Sequence, residues 1–214
     1  QKQTGGAELN VVSGASMLGL HTGIISKIPS NDIGFFVKNY IRFCGVSDDY
    51  LIYDDNKEAR LGIYFYENGA HPRKPAIVYD RLNSSMRTLR VEEIPEEIFA
   101  STRCFHTSGI TLALNENIRN TAVELIKKFK ANGTIISFDV NFRRNLWSGE
   151  EAKSCIEQIL PYVDIFFCSE DTARLTFLSE GSAYDIMKDF TQKYPISIVA
   201  STQRIVHSPK MHTF

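Results

Sequence analysis

Hydrophobic and polar positions along the chain switch repeatedly between a helical and an extended period. Ala7, Val11, Val12, Ala15 and Leu18 recur at helical spacing and predict a helix over 7–20, entered through Gly5-Gly6. The run TGIISKI at 22–28 reads as a strand ended by Pro29. Ile33, Phe36, Val37, Tyr40, Ile41 and Cys44 make the stripe of the next helix, which Asn31 or Asp32 caps and Gly45 stops. From about residue 92 the alternation is regular. It predicts strands over 103–107, 134–140, 163–168 and 196–200. Between and around them it predicts helices over 95–100, 115–132, 150–160, 172–178 and 183–194. Continuous apolar strands separated by amphipathic helices imply an α/β fold with a mostly parallel central sheet covered on both faces.

Residues 46–91 break the rhythm. Runs at 50–53, 62–66 and 76–79 are short, rich in Tyr and separated by charged or Pro-containing turns. They predict a small antiparallel sheet attached to the main domain. The expected organisation is therefore one α/β domain over 1–214, with most of a small β lid inside 46–91.

Composition removes several functions. The 214 residues include 24 Lys+Arg and 25 Asp+Glu, a net charge of −1, with 43% hydrophobic residues. Such a chain is too apolar for disorder and carries no field for nucleic acid or an anionic membrane surface. No apolar run approaches the roughly 20 residues that span a bilayer. Cys44, Cys104, Cys155 and Cys168 are widely spaced in apolar contexts. They read as buried free thiols, which suits a cytoplasmic location. His21, His71, His106, His207 and His212 show no metal-ligand spacing, and His106 is expected to pack at a strand end.

Parallel sheets bind ligands beyond the carboxyl ends of their strands, so the residues after each strand carry the functional signal. Asp139-Val140-Asn141-Phe142-Arg143-Arg144 is the strongest such constellation, because Arg forks suit carboxylates and phosphates. Ser169-Glu170-Asp171 serves either as a helix cap or near a metal. Tyr79-Asp80-Arg81 is either a salt-bridged edge or a reach over a ligand. Gly5-Gly6 before a helix is an ordinary turn, or a cradle whose free N–H groups and nearby Asn10 meet a substrate. The P-loop, the dinucleotide fingerprint and the G-x-S-x-G and H-E-x-x-H motifs are all missing.

Taken in order, GGAELN at 5–10, RLGIYFYENG at 60–69, Tyr79-Asp80-Arg81, HTSGITLAL at 106–114, FDVNFRRNLW at 138–147, FFCSEDTARL at 166–175 and STQR at 201–204 resemble the ribokinase-like (pfkB-type) carbohydrate kinases. Within that family the chain is most similar to the 2-keto-3-deoxygluconate kinases. The resemblance implies a three-layer α/β sandwich with a β lid, and transfer of the ATP γ-phosphoryl group to a primary hydroxyl of a sugar acid with Mg²⁺. It implies that Gly6 and Asn10 bind sugar hydroxyls and that Tyr64, Tyr79 and Arg81 line the lid side. It gives Arg143 the substrate carboxylate or the transferred phosphate. It places Asn141, Phe142, Arg143, Ser169 and Arg204 along the nucleotide, with Glu170 towards the metal. A homodimer through the lid is expected.

The family's first strand and its later G-x-G-D segment, whose Asp is the catalytic base, have no counterpart here. The chain is thus expected to match the central part of a family member and, alone, to show no ATP-dependent phosphorylation. Two other functions compete: a kinase for fructose, ribose or a nucleoside, and a non-catalytic sugar-acid-binding or regulatory protein.

Overall fold

The computed structural model describes residues 2–69, 72–202, 205–208 and 211–213. They fall into two compact units, 1–95 and 96–214.

The first unit opens with α1 (Ala7–Met17), β1 (Ser26–Pro29), α2 (Asp32–Phe43) and β2 (Leu51–Asp54). Asn31 caps α2, its side-chain oxygen accepting the N–H groups of Ile33 and Gly34 at 3.1 Å each. Gly34 has a steric reason to be glycine: a Cβ there would lie 1.9 Å from the Pro29 carbonyl oxygen. Strands β1 and β2 pair in parallel, Ser26 opposite Leu51 and Pro29 opposite Asp54. The run at 50–53 therefore leaves the small antiparallel sheet to which its tyrosines had assigned it. Its Leu51 closes a core with Leu9, Ile28, Ile41 and Val46, and that burial decides its partner.

Two stripes shift as well. In α1 the buried residue is Leu9, with Val12 beside it, while Val11 and Leu18 are exposed. In α2, Ile41 is buried, but Ile33 and Phe36 face outward. Helix α1 carries apolar residues around most of its circumference, so periodicity alone does not select its inner side, whereas the stripe of α2 is wide enough to extend past the core to Ile33 and Phe36.

After β2 come β3 (Ile63–Glu67) and β4 (Ala76–Asp80). They form a two-stranded antiparallel sheet, Tyr64 opposite Tyr79, with every residue exposed.

The second unit runs α3 (Glu97–Ser101), β5 (Cys104–Ser108), α4 (Gly109–Leu112), α5 (Glu116–Ala131), β6 (Ile135–Asp139), α6 (Gly149–Glu157), β7 (Ile165–Phe167), α7 (Glu170–Phe177), α8 (Ala183–Lys193) and β8 (Ile198–Ala200). An antiparallel pair follows, β9 (Ile205–Ser208) and β10 (Met211–Thr213), where the sequence pattern predicts no element. The main sheet is parallel throughout, in the order β5-β6-β7-β8. Ile118, Ala122, Leu125, Ile126 and Phe129 of α5 are all buried, as their spacing predicts.

One face of this sheet is the core. Ile136, Phe138 and Phe166 are fully buried on it. Phe105 stacks on Phe129 of α5 with centroids 4.3 Å apart, and Phe166 meets Phe190 of α8 at 4.9 Å. On the other face Ile135, Phe167 and Ile198 are exposed while Ser108 and Ser137 are buried. The strand order places the connecting helices on the core face. Right-handed crossovers that always step in one direction drop successive helices on one side.

At the amino ends of the strands, Asp164 fastens the sheet. Its Oδ2 accepts the Ile136 N–H at 2.8 Å and its Oδ1 pairs with Lys130 at 2.5 Å. Cys155 and Cys168 are buried as expected, whereas Cys44 is half-buried and Cys104 is exposed at the start of β5. Among the described residues no helix is long and apolar enough to cross a membrane.

Candidate functional site

A cleft of about 260 Å³ opens beyond the carboxyl ends of β6, β7 and β8, lined among others by Asp139, Asn141, Arg143, Ser169, Thr172 and Thr202. Its first wall is the loop after β6. There Asp139 accepts the Asn141 N–H at 3.0 Å, and Asn141 takes a positive φ of 35°. Val140 between them is fully buried, and a Cβ on Gly109 would lie 2.1 Å from its carbonyl oxygen. Only glycine lets the turn after β5 pass so near this loop.

The far end of the loop is anchored too. Trp147 is buried, with the Arg119 guanidinium 5.8 Å from its ring centroid. Ser148 and Glu151 cap each other reciprocally at the start of α6. The Ser148 N–H first, and its nearby hydroxyl second, hold the Glu151 carboxyl below its usual range. Between the anchors, Phe142 is half-buried and Arg143 is exposed. The Arg143 guanidinium reaches only the Phe142 carbonyl, at 3.5 Å, and among the described residues no carboxylate pairs with it.

The second wall follows β7. Ser169 caps α7, accepting the Thr172 N–H at 3.2 Å and donating to the Thr172 hydroxyl at 2.9 Å. Glu170 is taken up by Arg174 one turn on, at 2.7 Å. Cys168 lies buried at the floor, where burial first and the Asp139 charge second push its thiol up to about 12. It stays a neutral thiol, and thiols react as thiolates. Burial and then the Asp164 charge raise the Cys104 thiol too, so a thiol reagent at pH 8 should modify accessible Cys104 slowly and leave Cys168 untouched until the protein is unfolded, as peptide mass mapping would read. Equal labelling of the two in the folded protein would contradict this buried floor. The third wall comes from β8 through Ala200 and Thr202, while Arg204 lies outside the described residues.

The first unit holds the other predicted residues. Tyr64 lies against the glycine pair before α1, its hydroxyl 3.0 Å from where a Cβ on Gly5 would sit. The Tyr64 and Tyr79 rings stand 6.1 Å apart across the strands, and the Arg81 guanidinium lies 4.1 Å from the Tyr79 centroid. Asp80 is bound to Arg60 at 2.6 Å, so the edge is salt-bridged through Asp80 while Arg81 stacks on the ring. Asn10 is exposed in the first turn of α1, its N–H bonded to the Gly6 carbonyl at 3.0 Å.

His106 sits within β5, its Nδ1 2.8 Å from the Ser137 hydroxyl. Sequence reasoning singled out neither Thr172 nor Thr202 individually. Their only sequence signal is position, in the first turn of a helix or just after a strand.

Residues 1–203 match the family model described as pfkB family carbohydrate kinase. The chain belongs to the pfkB family of carbohydrate kinases. A 2-dehydro-3-deoxygalactonokinase from Haloferax volcanii is 34% identical over 201 residues, which cover 94% of this chain and 62% of that protein. The crystal structure of 2-dehydro-3-deoxygluconokinase from Thermotoga maritima superimposes with a TM-score of 0.90 at 32% identity, covering 97% of this chain and 64% of the other. A pfkB family carbohydrate kinase from Listeria grayi gives a TM-score of 0.88 at 34% identity, covering 97% and 65%. The chain thus spans somewhat less than two thirds of these relatives' length, and its fold is the ribokinase-like α/β fold of the family.

Proposed function

We propose that the protein transfers the γ-phosphoryl group of ATP to a primary hydroxyl of a sugar acid such as 2-keto-3-deoxygluconate. The observation that carries this reading is Arg143, a guanidinium at the lip of a strand-end cleft with no carboxylate of its own among the described residues. A rigid fork of donors left unpaired at such a place suits a planar carboxylate or a phosphate. The names of the Haloferax and Thermotoga relatives, both kinases of deoxy sugar acids, point the same way.

In this reading Gly6 and Asn10 meet the sugar hydroxyls, and Tyr64, Tyr79 and Arg81 form the lid side of the substrate. Arg143 takes the substrate carboxylate. Asn141, Phe142, Ser169 and Arg204 border the nucleotide. The donor set around the cleft, a guanidinium with hydroxyls and amides, fits phosphate oxygens. Phosphoryl transfer depends mainly on positioning and charge neutralisation, which these groups supply. Mg²⁺ would neutralise the phosphates. Among the described residues no three acidic, thiol or imidazole groups converge, so the nucleotide and water would provide most of its ligands. Glu170 joins them only if released from Arg174.

The stretch 46–91 supplies most of the lid, in β3 and β4. Their alternation puts Tyr64, Tyr66, Ile77 and Tyr79 on one side and Ile63, Phe65 and Val78 on the other, all exposed. A second copy of the chain would cover the latter side, making a homodimer. A cytoplasmic location fits the four unpaired thiols.

Phosphorus NMR of a reaction with full-length protein, ATP, Mg²⁺ and 2-keto-3-deoxygluconate tests the reading. It should show a new phosphate ester on the primary hydroxyl and an equal amount of ADP. ATP left intact with this acid and its stereoisomers would sink it.

A further inference from the structure

Asp139, the carboxylate that closes β6, has no role in the reading above, yet the path to Arg143 starts from it. Asn141 holds φ at +35°, a region few residues other than glycine adopt, though Asn tolerates it best. Such a conformation persists when its surroundings over-determine it. Here the surroundings are specific. The Asp139 Oδ1 accepts the Asn141 N–H at 3.0 Å, and Val140 between them is locked in the core beside Gly109. Two residues beyond Asn141 stands Arg143, whose side chain has, among the described residues, only the 3.5 Å contact with Phe142 to fix it.

We infer that Asp139 is a positioning residue: its carboxylate oxygen holds the Asn141 backbone in the left-handed turn and so sets where the Arg143 guanidinium stands at the lip of the cleft. The function of that placement rests on the kinase reading, whereas the placement itself does not. What the turn needs from Asp139 is an acceptor rather than a charge. Asparagine at this position keeps the acceptor, and alanine removes it.

Two measurements on full-length protein separate these. Deuterium exchange at the Asn141 amide should quicken about tenfold or more in Asp139→Ala and stay unchanged in Asp139→Asn, because only the first loses the bond. The kcat/KM for a sugar acid should fall about 100-fold in Asp139→Ala, the scale of a misplaced group, and remain within about threefold in Asp139→Asn. Loss in Asp139→Asn equal to that in Asp139→Ala would overturn the inference, since the charge would then be what acts. Unchanged exchange in Asp139→Ala would overturn it too. Should the alanine variant not fold, Asp139→Asn decides alone, retention supporting and loss overturning. If the unaltered protein phosphorylates no sugar acid, the kinase reading falls while the exchange result still judges the role of Asp139.

Discussion

Phe166→Ala should lower the unfolding free energy by about 3–5 kcal/mol, the usual cost of truncating a fully buried aromatic ring. Phe166 is the middle residue of β7, flanked in the sheet by Phe138 of β6 and Val199 of β8. Its ring has no exposed surface and touches Phe190, with Phe177 edge-on at 6.3 Å. The cavity would open at the seam between the sheet and α7 and α8, which the aromatic cluster fills. Phe167 is the internal control, because it points to the opposite face and is 40% exposed. Its replacement by Ala should cost less than about 1 kcal/mol, as exposed positions generally do. Urea unfolding of full-length protein measures both through the shift in midpoint at constant slope. Equal costs for the two, or a negligible cost for Phe166→Ala, would mean the core has been placed on the wrong face of the sheet.

Arg143→Ala should reduce kcat/KM on a sugar acid by about 100-fold, equivalent to about 2.7 kcal/mol, within the range seen when one member of a desolvated charge pair is removed. On fructose, which has no carboxylate, the loss should stay below about tenfold on the same scale. Arg143→Lys should recover part of the activity, since it keeps the charge but not the fork. Steady-state kinetics with the two substrates gives the ratio directly. Losses of the same size on both would count against the carboxylate partner and put the guanidinium on the transferred phosphate, which the two reactions share.

Much of the second unit was legible from the chain. Its strands are short continuous apolar runs, and α5 has one unambiguous stripe whose predicted residues are all buried. The first unit was harder to read for a physical reason. Helix α1 carries apolar residues on several sides, and tyrosine-rich strands look alike whether they join a buried parallel pair or an exposed hairpin. Leu51 illustrates this. Its neighbours resemble those of β3 and β4, and only its burial against Ile28 and Ile41 sets its partner.

The candidate site was half legible. FDVNFRR declared itself by placing charge after a buried strand, and the structure puts Asp139, Asn141 and Arg143 around one cleft. Sequence left two uses open for Ser169, and in the structure its hydroxyl caps α7. Glu170 likewise gives its carboxylate to Arg174, a pairing that sequence spacing permits without requiring it. The left-handed Asn141 left no trace in the sequence, since asparagine occurs in many backbone conformations.

The central claim is that this pfkB-family chain serves a sugar-acid kinase whose substrate carboxylate is read by Arg143. It is tested most directly by comparing kcat/KM of full-length protein, in an ADP-coupled assay, for 2-keto-3-deoxygluconate and its stereoisomers against fructose and ribose. A charge-paired carboxylate predicts that a sugar acid leads by at least about 100-fold, because a site built for that group is left unpaired by a neutral sugar. Fructose or ribose turned over as well as the acids, or better, would contradict it.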